Sequence, residues 1–468
     1  MPDPEREYYQ RIVRELQEQN KEFQGQIKKL QEENAYLKFE LQDFKAKRYK
    51  SGKKPPAPPS ETVAAPLPKK RGGVFGHIGW FRKKPDKINR IEEVRLDSCP
   101  DCGSKNITEC QNQELDEHIQ EDIVLPTVET TLYRHHEYYC RSCKKIVQGL
   151  GKDELANSYI GPKAKALAVF LRYGVKISER DVRALFEKAF NLKIVASSIT
   201  GFRFQLKRAG SSLYRILMDS LKKGSFIHAD ETGWRVDGKN HWLWKFSNKK
   251  VCVSHIDPSR GQKVVQKILG DKYEGTLITD FLSAYSKIKT KAKQRCLVHI
   301  LRDLKKVRKY WHDDPEVLDY VRRLEKIFYD AITLHEEYKG KKWDDVYRAR
   351  RSALEDCLKD FGFPDPNKKI LNRFAKRLAR HKGELLTFLY EESIDYHNNH
   401  AERQIRPDVI FRKITFGNRS QNGVQYHNVI ASILQTARLN KIDPIGTFED
   451  ILLKKKQYEL LAALSPPC

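Results

Sequence analysis

The chain has 468 residues, too many for one ordinary domain, with 39% apolar and 32% charged residues and a formal net charge of +26. A cationic surplus of that size is usually offset by a polyanion, so nucleic acid is the leading partner and an anionic membrane surface the competitor. No apolar run approaches the ~20 residues of a spanning helix, and the mixed-charge start has no apolar core, which excludes a membrane span and a signal peptide from the expectation. Nine cysteines are few for a disulfide scaffold in a chain this long. Four of them form two Cys-x-x-Cys pairs, which point to metal in a reducing, cytoplasmic and nucleoid-associated setting.

Residues 1–46 read as a dimerisation helix. Leu16, Phe23, Leu30 and Leu37 repeat every seven residues, with Val13, Asn20, Ile27, Asn34 and Leu41 on the adjoining row. This is an a/d seam, and an Asn at an a position fixes register and favours two strands, so a parallel homodimeric coiled coil is expected. Residues 47–92 change composition: Pro55, Pro56, Pro58, Pro59, Pro66 and Pro68 break any helix. The cluster Lys69-Lys70-Arg71 makes this a basic linker able to lie along a phosphate backbone.

Residues 93–155 carry Cys99-Pro-Asp-Cys102 and Cys140-Arg-Ser-Cys143. Each pair places two thiolates on one tight turn, and two such turns complete a tetrahedral Zn²⁺ site, so a small zinc-ribbon-like domain with a structural zinc is expected. The alternating stretch Val128 to Tyr139 reads as a hairpin strand between them. Residues 156–222 read as helical. Ser178 suits the N-cap of a helix over Glu179–Phe190, and Ser197 or Ser198 starts a second through Leu206. This helix-turn-helix-like pair would present Arg203 and Lys207 to DNA.

Residues 223–450 hold the informative pattern. Strands are expected at Phe226–Asp230, His241–Ser247 and Val251–Ile256. A helix follows at Gln262–Leu269, a strand at Thr276–Asp280, a helix around Ala284 and a strand at Arg295–Val298. This order matches an α/β ribonuclease-H-like core in which the first and fourth strands are neighbours. Asp230 and Asp280 then end adjacent strands and meet at one edge. An all-helical insertion is expected over about 300–395, opening on the basic run Arg302, Lys305, Lys306. Asn398-Asn399-His400-Ala401-Glu402-Arg403 lies on the helix that returns to the core, and a basic Gly/Asn loop at Phe416–Gly423 includes Arg419. Residues 451–468 are left as a tail.

Phosphodiester transfer needs a nucleophilic water or 3′-hydroxyl and a neutralised leaving oxygen. Two Mg²⁺ or Mn²⁺ ions ~4 Å apart supply both, and such hard ions take carboxylate oxygens. Two strand-end Asp residues and a helical Glu suit that task. Glu231, Asp237 and Asp257 are nearby acids of lesser claim, and Asp257 before Pro258 reads as a turn residue.

At His228-Ala229-Asp230-Glu231-Thr232, Thr279-Asp280 and Asn398-Asn399-x-Ala401-Glu402-Arg403 followed by Arg406-Pro407, the chain resembles transposases of the IS-sixty-six family of insertion sequences. The resemblance implies a DNA transposase that cleaves and joins strands at element ends. Asp230, Asp280 and Glu402 would be its metal-holding triad, with Arg403 beside them at the DNA. Cys296-x-x-His299 is similar to a Cys/Asp-x-x-His signature found after the second Asp, which places His299 near the scissile phosphate. The resemblance also implies transposon-end and target DNA as partners, and possible accessory transposition proteins. Two other functions fit the same features: a non-catalytic DNA-binding protein derived from a transposase, and a ribonuclease-H-like nuclease without joining activity.

Overall fold

The structure is a computed structural model and describes residues 4–48, 104–105, 128–142, 144–361, 368–455 and 459–464. All of these except 104 and 105 belong to one compact unit; those two lie in a second unit spanning residues 51–127. Most of the linker and the first cysteine pair therefore fall outside the described residues, as do Lys69, Lys70, Arg71 and Cys143.

Helix α1 runs over Pro4–Arg48 without a break. Its seam side chains Leu16, Phe23, Ile27, Leu30, Leu37 and Leu41 are all exposed. The hairpin of this region is shorter and later than expected: β1 covers Glu137–Cys140 and β2 covers Lys145–Gln148, paired antiparallel. Residues 128–136 are not strand. Cys140 closes β1.

Helix α2, Pro162–Phe170, passes through a wider π turn at Leu171–Val175. Helix α3 covers Glu179–Ala189 and starts where the capping residue predicts, with the Ser178 side chain accepting from the Asp181 N–H. Helix α4 covers Ala196–Lys222, far past Leu206. The reason is a continuous apolar stripe: Ile199, Phe202, Leu206, Gly210, Leu213, Leu217 and Leu221 are all buried. That stripe belongs to the same hydrophobic cluster as the central sheet. The expected boundary at 222 is thus crossed by one shared core.

The sheet has five strands: β3 Phe226–Val236, β4 Lys239–Ser247, β5 Cys252–Asp257, β6 Lys272–Thr279 and β7 Lys289–Arg295. Their order is β5-β4-β3-β6-β7. β3, β4 and β5 pair antiparallel, while β6 joins β3 in parallel and β7 joins β6 in parallel. Asp237 and Gly238, both at positive φ, form the two-residue turn between β3 and β4. Helix α5, Gln262–Leu269, is the crossover from β5 to β6 and has the bounds the sequence predicts.

The last strand lies earlier than expected. The apolar Leu297-Val298 reads as strand, but Leu297 opens helix α6, Leu297–Tyr310. Buried Leu297, Ile300, Leu304 and Val307 recur at helical spacing, and that longer pattern decides the element. The lysine-rich segment before it forms the edge strand β7, where outward lysines blunt an open edge.

Helices α7 Pro315–Glu337, α8 Asp345–Lys359 and α9 Lys369–His381 complete the insertion with α6. They build a second hydrophobic cluster around Leu324, Phe328, Phe374 and Phe388. The chain then returns through α10 Asn399–Thr415, α11 Gln421–Leu439, α12 Pro444–Leu452 and α13 Glu459–Leu464. Helix α11 starts two turns earlier than Asn428, capped by Ser420. Leu460 of α13 is buried in the first cluster, so part of the expected tail is core.

Candidate active site

Phe226, Ile227 and His228 of β3 pair with Thr276, Leu277 and Ile278 of β6, a constant offset. Two residues beyond the last pair lie Asp230, within β3, and Asp280, just past the end of β6, and the Asp280 charge acts on the Asp230 carboxyl. Asp280 is the first residue beyond β6, and its Oδ1 accepts the Leu282 N–H at 2.9 Å, which fixes the turn.

Arg295 supports that turn from behind. Its buried guanidinium donates to the Asp280 carbonyl at 2.8 Å and to Thr279 Oγ1 at 3.1 Å. Its Nε is held by Glu384 of the insertion at 2.6 Å. Burial works to raise the Glu384 carboxyl, but His381 and Arg295 outweigh it and hold it at about 2.

Helix α10 carries Glu402 and is pinned to the sheet at three heights. At its start, the Asn398 side chain donates to the Ala229 carbonyl at 2.8 Å, and the Asn398 N–H donates to Cys296 Sγ at 3.3 Å. Further along, Asp408 meets Lys245 of β4 at 2.5 Å and His427 of α11 at 2.9 Å. Near its end, Arg412 donates to the Gly233 carbonyl of β3. These anchors offset the intrahelical bond lost at Pro407. Burial works to raise the Asp408 carboxyl, yet Lys245 and His427 hold it at about 2.

The loop after α10 docks on the far end of β3. Asn418 exchanges backbone bonds with Arg235 and Asp237, and its side chain accepts from Trp234 Nε1 at 2.7 Å. Gly417 has φ +105°, and a Cβ there would stand 2.2 Å from the Arg235 carbonyl oxygen, so the close approach requires glycine.

The acids share one electrostatic field. The Asp230 carboxyl is pushed up to about 8 by burial, then by Glu231, Asp280 and Glu402. His299 lies in the first turn of α6, its Nε2 3.8 Å from Glu402 Oε1. Burial lowers its pKa against the opposing pull of Asp280 and Glu402. Among the described residues, no three His, Cys, Asp or Glu side chains stand close enough together to hold one ion.

Glu231 has more structure around it than a lesser acid would need. Its side chain is buried and receives Arg260 at 2.7 Å and the Tyr285 hydroxyl at 2.9 Å. Arg260 in turn lies over the Trp242 ring, 4.3 Å from its centroid. Burial and the charge of Asp280 raise the Glu231 carboxyl.

The basic residues singled out in the sequence divide into two groups. Arg302, Lys305, Arg403 and Arg419 are exposed. Arg203 is engaged internally, 2.8 Å from Glu179 and over the Tyr426 ring. Lys207 is half-buried, and Lys306 pairs with Asp303 at 3.4 Å. Sequence reasoning gave no role to Asn398, Arg295, Lys245 or Asp408. Lys245 carried a usable signal: a lysine between Trp244 and Phe246 in an apolar strand demands a buried acid.

The family profile described as Transposase IS66 family matches residues 157–426, more than half of the chain, and takes in Asp230, Asp280, His299 and Glu402. The chain belongs to this transposase family. Two proteins of Sinorhizobium fredii are similar over most of its length. Uncharacterized protein y4qI is 24% identical, covering 83% of this chain and 75% of that protein. Uncharacterized protein y4hP is 21% identical, covering 81% and 75%. As an IS66-family member the chain has a transposase-type function, and membership implies DNA binding. Among the described residues, no helix is long and apolar enough to cross a membrane.

Proposed function

We propose that this IS66-family chain is a DNA transposase with a ribonuclease-H-like core, in which Asp230, Asp280 and Glu402 hold divalent metal for strand cleavage and strand transfer. The observation that supports this reading is the action of the Asp280 and Glu402 charges on the buried Asp230 carboxyl, two residues beyond the last β3–β6 pair. The strand order, with three antiparallel strands followed by two parallel ones, supports the fold assignment.

The donor set suits a hard cation. Its oxygens are carboxylates, and their mutual repulsion, expressed in the raised Asp230 carboxyl, is relieved by positive charge. Bound Mg²⁺ or Mn²⁺ would activate the attacking oxygen and neutralise the leaving one. Because no three donors crowd one point, pairs of carboxylates with water would complete each shell. His299 stands beside Glu402 where it can orient that carboxylate or a phosphate oxygen. Exposed Arg302, Lys305, Arg403 and Arg419 would meet the phosphate backbone.

Two further assignments belong to this reading. A structural Zn²⁺ on Cys99, Cys102, Cys140 and Cys143 is supported by their spacing and by the position of Cys140 at the end of β1. Homodimerisation through α1 is supported by its exposed a/d seam, which a second copy would cover. A dimer would let one assembly hold two DNA ends.

The test is a reaction of the purified full chain with Mg²⁺ and labelled DNA carrying the element's own ends. The expected products are cleaved ends and joined strand-transfer DNA. Cleavage without joining would make the chain a nuclease, and binding without either product would make it a DNA-binding protein.

A further inference from the structure

Helix α9 has two unlike faces. Ile370, Leu371, Phe374, Ala375 and Leu378 are buried in the second hydrophobic cluster or beside it. The other face carries Lys369, Arg373, Lys376, Arg377 and Arg380. Lys369, Arg373, Lys376 and Arg380 follow one another at three- and four-residue intervals, so they form a row along a single side of the helix. This row borders a cleft of about 770 Å³ whose other walls include Phe281, Asp303 and Tyr36.

The cleft is built onto the candidate active site. Phe281 is the residue after Asp280, and His381 packs edge-on against its ring at 5.4 Å. Arg377 lies over the rings of Phe281 and Phe374, at 4.9 and 4.7 Å, and is tied to Asp303 at 2.9 Å. Asp303 stands one turn beyond His299 on α6. A rigid guanidinium and an aromatic ring thus mark the mouth of the cleft, and the row of cations leads away from it.

The two ends of the row are treated differently. Lys376 and Arg380 are exposed, and no ion pair to either occurs among the described residues. At the other end, Lys369 meets Glu33 of α1 at 3.3 Å and Arg373 meets Glu40 of α1 at 2.8 Å. Ala35 and Tyr36 of α1 pack against the second cluster between these two pairs. The a/d seam residues Leu30, Leu37 and Leu41 stay exposed beside them, so this contact leaves the dimer seam free.

We propose that this cleft is the path of a DNA strand leaving the scissile phosphate, and that Glu33 and Glu40 occupy its outer phosphate positions until DNA displaces them. A row of cations on one helix face is what a phosphodiester backbone neutralises, with release of its counterions. Aromatic Phe281 offers a stacking face where the strand departs. The acids of α1 compete for two of the same cations, so binding carries a built-in opposition that a strand of sufficient length overcomes. The direction of the path rests on the active-site reading; the binding site itself does not.

The experiment measures affinity of the full chain for a fluorescent DNA duplex with a single-stranded 3′ tail, across a salt series without divalent metal. The double variant Lys376→Gln/Arg380→Gln should bind about tenfold more weakly near 0.1 M salt, with a log–log salt slope shallower by about 1.5. Its circular dichroism and melting temperature should match the parent, because neither side chain is packed. The variant Glu33→Gln/Glu40→Gln should bind several-fold more tightly. Parental affinity and slope in the first variant would overturn the strand path. Unchanged or weaker binding in the second would overturn the competition and would indicate that α1 supports the cleft instead. If the parent never cleaves DNA with Mg²⁺ while the first variant still loses affinity, the catalytic reading fails and the binding site stands. If the parent cleaves and the variant binds normally, the reverse holds.

Discussion

The side-chain amide of Asn398 donates to the carbonyl oxygen of Ala229 at 2.8 Å. The residue that opens the Glu402 helix is therefore bonded to the residue before Asp230. The Asn398 N–H reaches Cys296 Sγ as well, three residues before His299. Asn398 thus links the segments that carry Asp230, His299 and Glu402.

Replacing Asn398 with Ala should cost about 1–3 kcal/mol, because the Ala229 carbonyl and the His228 ring lose a buried partner. The larger effect should be on geometry. Strand transfer should fall by at least tenfold, and the Mg²⁺ concentration for half-maximal rate should rise as Glu402 loses its fixed position. A lower melting temperature with an unchanged Mg²⁺ requirement would limit Asn398 to stability.

The buried Lys245–Asp408–His427 group should govern acid stability. Asp408→Asn leaves the Lys245 charge unpaired in the core and should destabilise by ~3–5 kcal/mol near neutral pH. The Asp408 carboxyl is depressed to about 2 in the fold. Its contribution is therefore complete above the ordinary carboxylate range near 3.8, and is lost as pH falls through about 2. Melting curves of parent and variant should converge across that window. A gap independent of pH from 6 to 2 would show that the pair contributes no linkage.

Much of this arrangement was legible in the sequence, and the gaps have physical causes. Short apolar runs located β3 and β6, because a strand buried on both faces leaves a continuous local pattern, but β3 continues to Val236, so Asp230 lies within the strand and does not end it. Ser178 located the start of α3 because capping is a local bond. The edge strand β7 was misplaced, since lysines carry little strand signal and the adjacent apolar run belongs to α6. The length of α4 was underread, although its apolar stripe runs on to Leu221 and is buried in the core it shares with the sheet. Asn398, Arg295 and Asp408 could not be read as anchors, because their partners lie more than 80 residues away or in another element.

The exposed seam on α1 predicts a dimer. Replacing Leu16, Leu30 and Leu37 with Gln should convert the full chain to monomers in sedimentation at micromolar concentration. The rest of the fold should keep its melting temperature, since these side chains are exposed. A parent that is already monomeric would contradict the seam assignment.

The paired cysteine turns predict one zinc per chain. Metal analysis of the purified protein should show it, and a chelator should release it together with loss of DNA-end binding. Cys140→Ser should give the same loss without chelator. Full DNA binding in zinc-free protein would remove a structural metal from the account.

Single substitutions Asp230→Asn, Asp280→Asn and Glu402→Gln in the Mg²⁺-dependent cleavage and joining assay decide whether these three carboxylates carry catalysis. Each replacement preserves shape and removes one of the charges that would hold metal. Each should lower both reactions by about 10³-fold, the scale of a lost electrostatic group at a transition state, while DNA-end binding stays within about threefold. Asp237→Asn, in the β3–β4 turn, should leave both reactions near parental levels. Retention of Mg²⁺-dependent strand transfer in all three variants would rule out Asp230, Asp280 and Glu402 as the metal-holding set.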